Sequence, residues 1–290
     1  MGSKHRVASL AATLAMCLVT VGVSAAVAPS AGAAGSNTLT VKSGEYTYKF
    51  SGSPKAGWTQ INFENDGNEY HMMAIFPLKK GVTVAQLTKA AESPDPSSFD
   101  PIAGKGQVFG APSFLAPGAK STTITKLSAG HYGVLCFIPA PDGESHIAHG
   151  MVKVFDVSSS KSNLTPPTDG LVAASLSDDA ITLPASGMPA HGWAKITNNA
   201  TAPRDFTIAR LATPTATFEE ADAYFDVFFS TGTAPAGEPP ATIEGGAQSI
   251  APGGTGYVQL DLNAGNYVIV SSTDDDTDGS TELHQEFTVK

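Results

Sequence analysis

Short runs of alternating apolar and polar residues recur along the chain: TLTVKSGEYTYKF (38–50), TQINFEN (59–65) and HYGVLCF (131–137), then GYVQLDL (256–262) and NYVIVSS (266–272). A period of two sends every second side chain to one face, so these runs predict antiparallel strands with one face buried. Two stretches break the alternation and predict one short helix each, near 82–91 and near 218–229. The pattern also matches itself at an offset of about 135 residues. APG at 116–118 recurs at 251–253, AGHYGVLC (129–136) recurs as AGNYVIVS (264–271), VKVF (152–155) aligns with FTVK (287–290), and Gly57-Trp58 answers Gly192-Trp193. Repetition at domain length implies two copies of one domain, each a pair of packed sheets. SSSKSNLTPPTDG (158–170) between them has the Ser, Pro and Gly of a linker, with the boundary near Asn163.

The first residues follow a different rule. Lys4, His5 and Arg6 precede an apolar run from Val7 to Ala28, and Ala31 and Ala33 form an A-x-A site, as in a secretory signal cleaved near Ala33 or Ala34. An uncleaved membrane anchor is the competing reading of the run. Cys17 is a poor lipidation site, because Met16 stands before it and the apolar run continues past it. The expected organisation is a signal peptide (1–34), a first domain (35–157), a linker (158–168) and a second domain (169–290).

Cleavage changes the charge and the cysteine count. The signal takes away Lys4 and Arg6 and no acid, leaving 15 basic against 27 acidic residues, a net charge of −12. Such a surface disfavours nucleic acid as a partner and suits solubility or a basic protein partner. Cys17 is lost, so Cys136 remains alone and cannot form an internal disulfide. A lone thiol in an oxidising setting must be buried or ligated. Its neighbourhood favours ligation: Cys136, His146 and Met151 form a C-x9-H-x4-M pattern, a soft donor set that suits copper. A second histidine must then come from upstream, and His71 stands after the polar turn NDGNEY at the start of an apolar run. An ordinary buried core cysteine is the alternative.

One distant His followed by a clustered Cys, His and Met resembles the cupredoxins, the type 1 or blue copper domains. The resemblance covers about 38–156, including LAPG (115–118), AGHYGVLC (129–136) and HGMVKVF (149–155). It implies an all-β chain of two tandem Greek-key β-sandwich (cupredoxin-like) domains. It also implies one copper ion cycling between Cu(I) and Cu(II), held by His71 and His146 through nitrogen, Cys136 as thiolate and Met151 as weak axial ligand. Two features depart from the family: Met72 stands where Asn often follows the upstream His, and the loop from Cys136 to His146 is long.

At the same offset the second copy places Ser271, Thr281, Glu286 and about Arg204 on the four ligand positions, so it is expected to be a metal-free copy. His149 is the alternative to His146. His131, His191 and His284 lack sequence partners and are expected at the surface, and Met72 and Met73 in packing. No H-x-H pair follows the signal and Leu135, not His, precedes Cys136, which argues against the further centres of a multicopper oxidase or copper nitrite reductase. DDDTDG (274–279) matches the start of a calcium loop through Asp274, Asp276 and Asp278, but Gln285 replaces the bidentate Glu at position twelve. The expected function is a secreted, non-enzymatic single-electron carrier for an unidentified redox or binding protein, with no membrane span after signal removal. The rival is a non-redox sandwich that carries copper or only presents loops to a partner.

Overall fold

The computed structural model describes residues 36–105, 108, 110–273 and 282–290. The signal segment, the 274–279 acidic turn and Thr281 lie outside the described residues. The first half runs β1 (Thr38–Gly44), β2 (Thr47–Ser51), β3 (Lys55–Asn65), β4 (Ala74–Leu78), α1 (Val84–Ala91), a 3-10 turn (Pro96–Phe99), β5 (Ala111–Pro112), β6 (Lys120–Leu127), β7 (Gly130–Leu135) and β8 (Val152–Lys161). The second runs β9 (Leu171–Leu176), β10 (Ile181–Thr182), β11 (His191–Asn198), β12 (Arg204–Leu211), α2 (Phe218–Thr231), β13 (Ala241–Ile250), β14 (Thr255–Asp261), β15 (Gly265–Ser271) and β16 (Leu283–Val289).

Each half is a β-sandwich, as the alternation predicts. In the first, the layer β2-β1-β3-β6 packs on β4-β7-β8, and the end of β8 crosses to pair in parallel with the start of β3 at Lys55↔Ser158 and Ala56↔Lys161; in the second, β10-β9-β11-β14 packs on β16-β15-β12-β13. The alternation predicts antiparallel strands, but the pairing is not antiparallel throughout: β1 runs parallel to β3, and β9 likewise to β11. Leu39 and Val41 of β1 meet Ile61 and Phe63 of β3 in the first core, while Thr40 and Lys42 between them point outward. Tyr132 stacks on Phe155 at 5.4 Å and donates its hydroxyl to Ser128 O at 2.9 Å. Tyr267, Phe287 and Asn263 O repeat this arrangement at 5.2 and 2.9 Å. Both helices open on a capping box, Thr83 with Gln86 and Thr217 with Glu220. α1 lies on the outside of its sandwich, burying Leu87 and Ala90 against Leu78, Leu135 and Ile147.

The halves are joined by more than a linker. β14 pairs with β6 through Tyr257↔Ile124 and Val258↔Thr123, making one sheet across both halves, and β5 pairs with β13. The side-chain amide of Gln248 on β13 donates to Met73 O at 2.7 Å and Pro112 O at 2.8 Å, both in the first half. β8 continues to Lys161, into the Ser-rich stretch read as linker. Leu164, just beyond it, packs with Ile124, Trp193 and Tyr257. Among the described residues no helix is long and apolar enough to cross a membrane.

Candidate metal centre

Four segments deliver the centre to one end of the first sandwich. His71 precedes β4 and is fixed by a two-hydrogen-bond bridge to Leu115 in the LAPG turn, 3.1 and 2.8 Å. Cys136 follows β7. The long loop after it folds into a small hairpin: Ala140 N–H donates to Glu144 O at 2.7 Å, Gly143 N–H to Ala140 O at 2.8 Å, and His146 N–H to Ile138 O at 2.9 Å. The extra length is therefore directed outward, and His146 returns beside Cys136. A final turn brings in Met151, whose N–H donates to His146 O at 2.8 Å and whose carbonyl accepts from Cys136 N–H at 3.3 Å.

Nδ1 of His71 lies 3.2 Å from Nδ1 of His146, which lies 3.3 Å from Cys136 Sγ. One donor atom from each of the three falls within 4.8 Å of the others, and all three side chains are buried. Among the described residues no other group of this kind converges. Met151 is fully buried in the core cluster that contains Cys136. His149 lies outside the group, stacked on Tyr46 at 4.5 Å and bonded to Asp142.

The surroundings make this a site for a cation with soft and imidazole preferences. Burial pushes the Cys136 thiol up to about 12. Burial, and then the neighbouring His146, hold His71 down to about 3. His146 is also lowered, by burial first, against the opposing pull of Glu69. Three groups that resist ionisation thus aim lone pairs at one point. The Nε2–H of His146 donates to Glu69 Oε2 at 2.9 Å, which leaves its Nδ1 bare toward Cys136 and His71. Nε2 of His71 is buried with no partner, so no second bond competes for the orientation of that ring. Backbone N–H groups of Met72, at 3.5 Å, and Ile138 point at Sγ, a setting suited to a thiolate. The donor set fits copper.

No family model matches the chain, and no curated protein matches it. Among solved structures it is similar to a dithionite-reduced auracyanin from the photosynthetic bacterium Roseiflexus castenholzii, 28% identical, over 43% of this chain and 98% of that one, with a TM-score of 0.29. It is also similar to a multicopper oxidase (15% identical, 87% and 88% covered, TM-score 0.23). A third is a copper nitrite reductase from Nitrosomonas europaea (12% identical, 87% and 93% covered, TM-score 0.23). These overlaps are loose, and what the centre can do is read from its own side chains.

The matching ladders locate the equivalent positions in the second half. Ala74↔Leu135 corresponds to Thr207↔Val270, which sets Arg204 on His71 and Ser271 on Cys136. The buried Arg204 guanidinium reaches Asp178 O at 3.0 Å and Ser271 O at 3.4 Å. Leu135↔Val152 corresponds to Val270↔His284, so Leu283, not Glu286, stands at the position of Met151. The final connection is three residues shorter in the second half, which the constant offset could not register.

One further expectation changes. His131 is not a surface residue: its side chain is 12% exposed, bonded to Asp156 and donating to Val82 O, both at 2.7 Å. His284 is exposed, as expected, and stacks on Phe218 at 3.9 Å. The residues that sequence reasoning missed are those around the ligands. Glu69 holds His146 and accepts the Tyr46 hydroxyl at 2.9 Å. Tyr48 donates to Met72 O and lies against the Cys136 thiol. Gly67 leaves room for the His71 ring, since a Cβ there would sit 2.7 Å from Nε2. The one sequence signal for Glu69 is its place two residues before His71.

Proposed function

We propose that the chain is an exported type 1 copper protein that passes single electrons to a protein partner and catalyses no reaction of its own. His71, Cys136 and His146 would hold one ion, with Met151 as the weak axial ligand. The observation that carries this reading is the convergence of two imidazole Nδ1 atoms and one thiol, all buried, within 4.8 Å. When bound, copper supplies a one-electron couple whose potential its ligands and their surroundings tune. The chain's own part is to hold the ligands in place and exclude water. The bridge to Leu115, the hairpin between Cys136 and His146, and the Met151 bonds to both Cys136 and His146 fix all four positions against one core. A rigid set of this kind limits rearrangement when the charge changes.

The second half is proposed as a duplicate without metal, since a guanidinium has no lone pair to offer and Arg204 stands at the place of His71. The test is to purify the chain without residues 1–34, add copper and record its visible spectrum. An intense Cu(II)–thiolate band with one ion per chain is expected, lost completely in Cys136→Ser. A colourless protein, or colour that survives Cys136→Ser, would overturn the assignment and leave a non-redox binding module.

A further inference from the structure

Beside the ligand cluster the two halves enclose a groove of about 480 Å³. Glu69, Tyr70, Pro117 and Pro141 from the first half and Tyr224 and Phe228 from α2 line it. The position of α2 is fixed from below: its C-cap Gly232 takes φ 69°, and a Cβ there would meet Ala140 O at 2.1 Å, so the helix end rests on the hairpin between Cys136 and His146. Tyr70 is held in turn by edge contacts with Phe225 at 5.7 Å and Phe228 at 5.4 Å.

The lining is mostly aromatic and apolar, with Asn68 and Thr233 as neutral polar groups and Glu69 as its one charged side chain. Glu69 is bonded by a phenol and an imidazole N–H, and no Lys or Arg pairs with it among the described residues. Glu45 stands close by, accepting from the backbone N–H of Asn68 on the groove rim, also without a Lys or Arg partner among the described residues. Ring faces and an uncompensated carboxylate together attract an organic cation. A metal ion would find a single carboxylate and little else, and an anion would be repelled. The volume is that of a small-molecule site.

We infer that this groove binds a small aromatic cation, with Glu69 supplying the charge and Tyr70, Tyr224 and Phe228 the ring contacts. A molecule held there lies one carboxylate away from His146, and the second half, through α2, helps select it.

Isothermal titration of the whole metal-free chain with phenyltrimethylammonium at neutral pH and low salt tests this. Saturable one-to-one binding is expected, with neutral N,N-dimethylaniline about tenfold weaker or worse. Glu69→Gln and Tyr224→Ala should each weaken binding by about tenfold, while Tyr224→Phe keeps it. Asn68→Lys changes an exposed rim residue, spares the fold and should abolish binding by repulsion. No saturation, equal binding of the neutral analogue, or parental affinity in Glu69→Gln and Asn68→Lys would overturn the inference. Because no metal is present, the result is independent of whether the cluster takes copper.

Discussion

His71 carries the clearest pH signature in the chain. Its folded value lies near 3 against an ordinary 6.5, so between those limits the unfolded chain binds the additional proton. Stability of the metal-free protein is therefore unaffected by this group above 6.5 and falls as pH drops toward 3, by about 1.4 kcal/mol per pH unit. Urea melts from pH 7 to pH 4 should show that slope reduced by about this amount in His71→Gln. Equal slopes would mean that the ring reaches solvent. At this scale Cys136, His146 and Met151 were legible because one short stretch holds all three, and His71 because a turn and an apolar run frame it. Glu69 was not, because its contact with His146 spans 77 residues and exists only after the sandwich closes.

Both helices stand where the sequence places them, as Val84–Ala91 and Phe218–Thr231, because their first turns are capped by their own Thr and Gln or Glu. β13 was not legible: ATIEGGAQSI interrupts the alternation with Gly245 and Gly246. The strand needs both, since it bulges against β12 and a Cβ at Gly246 would meet Phe206 O at 2.0 Å. The two ends of α2 should respond differently to mutation. Thr217→Ala removes a cap far from the ligands and should cost about 1 kcal/mol, seen as a lower Tm with an unchanged copper spectrum. Gly232→Ala must strain a left-handed residue and push on Ala140 O, so it should cost more than about 1 kcal/mol and shift the visible band as well. A Gly232→Ala protein with the parental band would show that the helix end does not bear on the hairpin.

Two copies and a Ser-rich connection suggest separate beads, but the folded chain is one body. Backbone pairing between β6 and β14 leaves no side-chain pattern distinct from that of any edge strand, so the joint could not be read from the sequence. Its mechanical consequence is cooperativity. Calorimetry should show one transition, with calorimetric and van't Hoff enthalpies in agreement. Gln248→Ala, which leaves two buried carbonyls without partners, should destabilise the chain by about 2–4 kcal/mol. Two well-separated transitions in the parent protein would show that the continuous sheet does not couple the halves.

The Gln248 amide also bears on which parts of the chain can be lost. It bonds the carbonyl of Met73, two residues beyond His71, from a half in which no such donors converge among the described residues. A gene shortened to the first half would encode a sandwich with a bare β6 edge, an unpaired β5 and two orphaned carbonyls. The second half would then be kept as scaffolding for the first, whatever its own chemistry.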